Sequence, residues 1–83
     1  VGFVAESANL YNLKSLCLKA VKLHTKDDLY TGYVEFILAQ AYMLTDEKAN
    51  ALKEIKKARN LFTKANQLEN YLETIEEIER LCQ

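Results

Sequence analysis

Proline is absent from these 83 residues, tryptophan is absent too, and glycine occurs only twice, at Gly2 and Gly32. A chain so poor in helix breakers and turn formers has little from which to build hairpin-rich sheets, whereas its Ala, Leu, Lys and Glu are the residues that helices accept best. Charge of one sign is lacking as well. Eleven Lys and Arg against twelve Asp and Glu leave a net charge of -1, and the pI is near 5.8, so there is no electrostatic footprint for nucleic acid or an anionic membrane. No apolar run approaches the roughly 20 residues that span a bilayer, and the N-terminus lacks the basic-then-apolar pattern of a signal peptide. A soluble chain is expected.

Histidine occurs once and cysteine twice, with no CxxC spacing between Cys17 and Cys82. Each thiol falls on the apolar face of a predicted helix, so both read as buried and reduced. That points to a reducing compartment, intracellular and cytoplasmic, and to neither a disulfide nor a metal site. Phosphate loops, paired metal ligands and a nucleophile elbow are missing, and no Ser or Cys nucleophile can be set beside His24. No catalysis, cofactor or metal is expected.

What is present is helical periodicity. The stretch Tyr30 to Leu44, YTGYVEFILAQAYML, has eleven of fifteen residues apolar or tyrosine. They run around the whole helix, the pattern of an element covered on most sides. Before it, a helix is expected from about residue 9 to His24, capped by Ser7 or Asn9, with Leu13, Leu16, Cys17, Ala20 and Leu23 on one face. Asp27 or Asp28 suits the cap of the central helix. Thr45 and Asp46 supply a turn and a cap for a third helix, Glu47 to about Lys64, with Leu52, Ile55, Ala58, Leu61 and Phe62 inward. Asn66 is placed to cap a fourth, whose Leu68, Leu72, Ile75, Ile78 and Leu81 or Cys82 form one stripe opposite Glu73, Glu76, Glu77 and Glu79. The expected fold is all-α, one domain over residues 1–83, with about four helices in antiparallel hairpins. The chain starts at Val1, without an initiator Met, and reads as a fragment of something longer.

The chain also repeats itself. Lys19 to Ile37, KAVKLHTKDDLYTGYVEFI, matches Lys57 to Ile75, KARNLFTKANQLENYLETI, at eight of nineteen positions without a gap, an offset of 38 residues. That offset is the size of a helical-hairpin repeat. Within it, Glu35 to Ala58 resembles a tetratricopeptide repeat. Leu38 and Ala39 stand at the Leu-Gly positions, Tyr42 at the Tyr, and Ala51, Ile55 and Ala58 at the Ala, large apolar and Ala positions. Glu35 stands where the family has Trp, and the offset exceeds the family's length of about 34 by one helical turn, which predicts long second helices. The resemblance implies a stack of hairpins, an αα superhelix, with Ala39, Ala51 and Ala58 at close helix crossings and Leu38, Tyr42 and Ile55 beside them. Thirty-eight residues on from Leu38, Ala39 and Tyr42 stand Glu76, Glu77 and Arg80, so the last helix has a polar outer face, as a terminal capping helix needs.

The resemblance further implies a concave face that holds a peptide or a partner helix. The matching positions are Tyr33, Phe36, Gln40, Met43 and Leu44. The same row also reads as core awaiting cover by other helices or by a second copy. Since Phe36 and Gln40 stand where some family members carry a carboxylate clamp, any ligand is expected to be gripped through apolar anchors. The run KEIKKAR, residues 53–59, has no interleaved aromatics and reads as a solvated face. Three functions follow as expectations. The first is a protein-interaction module that binds a peptide or helix of a partner. Next comes a structural element that self-associates as a homo-oligomer. The third is a peptide-sensing domain of a bacterial regulator, which would need a DNA-binding segment upstream.

Overall fold

The computed structural model describes residues 2–23 and 26–82, with side chains from residue 12 onward. Four α-helices follow one another: α1 (Gly2–Leu23), α2 (Asp28–Leu44), α3 (Lys48–Lys64) and, after a 3-10 turn at Leu68–Asn70, α4 (Leu72–Leu81). Among the described residues there is no strand, and no helix is long and apolar enough to cross a membrane. The protein is all-α.

The helix α1 starts at Gly2, well before the expected cap at Ser7 or Asn9, and both of those residues lie inside it. Ser and Asn each cost only a few tenths of a kcal/mol in a helix interior, which the flanking Ala5, Glu6, Ala8 and Leu10 easily offset. The expected end at His24, and Thr25 after it, lie outside the described residues. The central helix begins as its sequence indicates: Asp27 is extended (φ -102°, ψ 102°) and its carboxylate accepts the amide of Tyr30 at 3.0 Å.

Between α2 and α3 the turn is tight, but Asp46 is no cap. It adopts a left-handed conformation (φ 58°), the amide of Glu47 donates to the Tyr42 carbonyl at 2.8 Å, and the Asp46 amide donates to Met43 at 3.2 Å. This double closure satisfies the carbonyls that end α2. Glu47 precedes α3 without a side-chain cap bond. Its carboxylate instead pairs with Lys14 and accepts from Thr45, which ties α1 to the α2–α3 turn and holds the Glu47 carboxyl below its ordinary range.

The same device ends α3 and overturns a second expectation. Asn66 does not cap a fourth helix; it sits at φ 59°, with Gln67 donating to Phe62 at 2.9 Å and Asn66 donating to Thr63 at 3.1 Å. Asn tolerates this left-handed position better than most side chains do, and bonding to the carbonyls of α3 outweighs its use as a cap. The chain then needs the 3-10 turn before α4 can start at Leu72, so the stripe expected from Leu68 is interrupted. With α3 matching α2 at 17 residues each, the second helix is long but not the longer of the pair.

Packing is layered by order. α2 and α3 form the tightest hairpin, α1 packs on α2, and α4 lies against α3 and the edge of α2. Ala39, Ala51, Ala58 and Ile55 are wholly buried where α2 and α3 pack, and small residues there let two backbones approach; Leu38, also wholly buried, faces α1. Gly32 has the same role as the alanines. A Cβ there would lie 3.1 Å from Leu61 Cβ and 3.3 Å from the Phe62 ring, closer than side chains usually pack, so a side chain at this position would push α3 outward by a few tenths of an ångström. An aromatic cluster closes the other end: Phe62 stacks on Tyr71 at 4.0 Å between centroids, and Phe36 meets both edge-on at 5.8 and 5.2 Å. Tyr71, Ile75 and Ile78 thus fasten α4 to the hairpin. On the opposite side Cys17 packs with Val34 and Leu38, and Ala20 and Val21 pack against them. Leu13, Leu16 and Leu23, expected to face inward with Cys17, remain exposed, because α1 is covered along one stripe only. Both thiols are unpaired; burial pushes the Cys17 thiol up, and Cys82 donates to the Met43 sulfur at 3.3 Å.

Candidate protein-docking groove

Two parallel strips of side chains face each other across the α2–α4 edge. On α2 they are Tyr33, Gln40, Met43 and Leu44; on the other wall they are Tyr71, Thr74, Ile78 and Leu81. Adding the repeat offset to Tyr33, Gln40 and Met43 gives Tyr71, Ile78 and Leu81. The walls therefore occupy the same register in two successive copies of the repeat, and helical spacing at three and four residues keeps each strip on one face.

The strips enclose a crevice of about 250 Å³, lined by Gln40, Met43 and Leu44 from α2 and by Thr74, Glu77, Ile78 and Leu81 from α4. Beyond it, at the start of α2, a wider hollow of about 500 Å³ is lined by Asp27, Leu29, Tyr30, Tyr33 and Tyr71. Tyr33 and Tyr71 meet edge-on between the two, ring centroids 6.1 Å apart. Leu44 and Leu81 are exposed on the rim, at 71% and 52%. A largely apolar crevice with a few polar groups is the usual form of a recognition surface.

Of the five residues expected on this face, four line it or its continuation and one does not. Phe36, only 8% exposed, belongs to the aromatic core, edge-on to the stacked pair Phe62 and Tyr71. Gln40 turns its amide onto the Phe36 carbonyl at 3.4 Å. Met43 is half-buried against Cys82 and also touches the core. The open part of the row is Tyr33 and Leu44.

The α4 wall was not expected on this face, although the repeat offset already pointed to it. Its polar side is acidic: Glu73, Glu76 and Glu77 are exposed, Glu77 lines the crevice, and Glu79 pairs with Arg59 at 3.1 Å. The run of residues 53–59 lies on α3 and lines neither hollow, with Lys53, Lys56 and Lys57 exposed.

A second feature went unread, the acid within the apolar stretch. Glu35 is 4% exposed, one carboxylate oxygen has no hydrogen-bond partner, and burial together with the nearby Glu54 raises its pKa to about 7, against a smaller lowering by Lys57. It lies on the α3 side, away from the groove wall.

Neither a family model, a curated protein nor a solved structure gives a significant match to this chain.

Proposed function

We propose that the chain is a non-catalytic protein-interaction module, built like a tetratricopeptide repeat, that binds a segment of a partner protein in the α2–α4 groove. One observation carries this reading: the largely apolar strips of α2 and α4, open at Tyr33, Leu44 and Leu81, stand in the same repeat register and face a common crevice. The pattern of small residues at the α2–α3 crossing supports the family likeness. Panning a random peptide library on the immobilised protein tests it. Peptides enriched on the native chain should be lost on the Leu44→Glu, Leu81→Glu variant, whose changes fall on exposed side chains and should leave helicity intact. Peptides held equally well by both proteins overturn the reading. Truncating Phe36 would be uninformative, since that ring is core.

A second reading, self-association, has one specific observation in its favour. Positions 38 residues before Ala51, Ala58 and Leu61 are Leu13, Ala20 and Leu23. Ala51 and Ala58 are buried at the crossing with α2, whereas Leu13 and Leu23 on α1 are exposed. A second copy could cover them.

A further inference from the structure

Resting on the groove reading, we infer that its occupant is a basic amphipathic helix, an apolar ridge flanked by Lys or Arg, and not an extended peptide. The argument for a helix comes from the backbone. An extended segment leaves its own amides and carbonyls to be satisfied by the receptor. Both walls here are helices whose interior backbone groups are already bonded within themselves, so neither offers an edge to pair with. The uncharged polar side chains of the α2–α4 crevice are Gln40 and Thr74, and the Gln40 amide is already turned onto the Phe36 carbonyl. A helix brings its backbone already satisfied and needs only a ridge that fits between Met43, Leu44, Ile78 and Leu81. The strip from Tyr33 to Leu44 is about 16 Å long at 1.5 Å per residue, which matches three turns of such a ridge.

Charge decides its polar side. Glu77 lines the crevice, Glu73 stands one turn before it on α4, and Asp27 lines the hollow at the start of α2. Neither lining includes a Lys or Arg; α3 keeps its five lysines on another face, and Arg80 is the lone base of α4. A ligand with acidic flanks meets like charge at Glu73 and Glu77, and one with basic flanks meets complementary charge there.

Three synthetic peptides of about 14 residues, roughly four turns, test this by titration against the isotope-labelled protein followed by NMR. All share one Leu/Ile face. The first has Lys on its flanks, the second Glu, and the third is the Lys peptide interrupted by a central proline. The Lys helix should bind at least about tenfold more tightly than the Glu helix, as two or three rim ion pairs allow. Raising salt should narrow that gap, and Glu73→Lys with Glu77→Lys should reverse the preference. Shifts should map to Tyr33, Leu44, Thr74 and Leu81. Equal affinity for the Lys and Glu helices overturns the charge assignment, and undiminished binding of the proline peptide overturns the helix. No binding by any of the three overturns the inference as a whole. Leu44→Glu with Leu81→Glu separates the two levels. If that variant loses every peptide, the groove stands even where the partner chemistry fails; if it keeps them all, the groove reading itself fails.

Discussion

Glu35 is the residue where the chain departs furthest from what its position asks for. It interrupts an apolar stretch, lies 4% exposed near Glu54 and Lys57, and leaves one oxygen without a partner. Its pKa rises from 4.5 to about 7 in the folded protein. Below pH 4.5 both folded and unfolded chains carry the proton. Between 4.5 and 7 only the folded chain keeps it, so unfolding releases a proton and stability falls as pH rises through this window, levelling off above it. The full loss is about 3 kcal/mol, at roughly 1.4 kcal/mol per pH unit. Glu47 acts with the opposite sign, since Lys14 and Thr45 hold its carboxyl low and their contribution fades as the solution becomes acidic. Melting curves between pH 5 and 8 should show the Glu35 slope. Glu35→Gln should remove it and stabilise the protein at pH 8 by about 1 to 2 kcal/mol, less than the full amount because the buried amide still needs partners. A Gln variant with the slope unchanged would mean that another group titrates.

At the scale of elements, the hairpin α2–α3 is held by smallness and the ends of α2 and α3 by two left-handed residues. Ala58 is wholly buried where the helices cross, so Ala58→Leu should force them apart and cost about 1 to 3 kcal/mol. A melting temperature equal to the parent's would contradict the crossing. Asn66, at φ 59°, carries a strain that glycine does not. Asn66→Gly should therefore raise stability by up to about 1 kcal/mol and Asn66→Ala lower it by a similar amount, both read from chemical denaturation. These two sites also show how far the sequence was legible. Apolar spacing and small residues announced α2, α3 and their contact, because periodicity and volume leave few ways to pack. Ser7, Asn9 and Asn66 were read as caps and were not, because a short polar side chain suits an N-cap, a helix surface or a left-handed turn, and the choice rests on which carbonyls lie in reach. Phe36 was placed in the groove for a related reason. Helical spacing shows which residues share a face, but not that Tyr71, arriving from the next copy of the repeat, would cover that one.

In the whole molecule, coverage and charge are both uneven across the stack. α2 is covered on most sides but open at Tyr33 and Leu44, α4 shows a charged outer side with Glu76 and Arg80 exposed, and α1 leaves Leu16 and Leu23 exposed at 62% and 78%. Arg59 of α3 pairs with Glu79 of α4, but the exposed lysines of α3 stay apart from Glu73 and Glu77, which leaves a nearly neutral chain one acidic flank. Whether the leucines of α1 instead pair two copies can be decided by magnitude. Burying a leucine side chain completely is worth about 1.5 to 3 kcal/mol, and these are already partly covered. Six of them across a two-fold contact, Leu13, Leu16 and Leu23 from each copy, contribute roughly 9 kcal/mol at the lower figure, while association itself costs about 4 to 15 kcal/mol. The described leucines alone therefore leave too little over, and a dimer resting on them would dissociate at micromolar concentration. Sedimentation equilibrium at micromolar protein should return the mass of one chain, 9.5 kDa. Leu16→Lys with Leu23→Lys should leave that mass unchanged. A mass of two chains that the double variant abolishes would move the function from the groove to α1 and make self-pairing the correct reading.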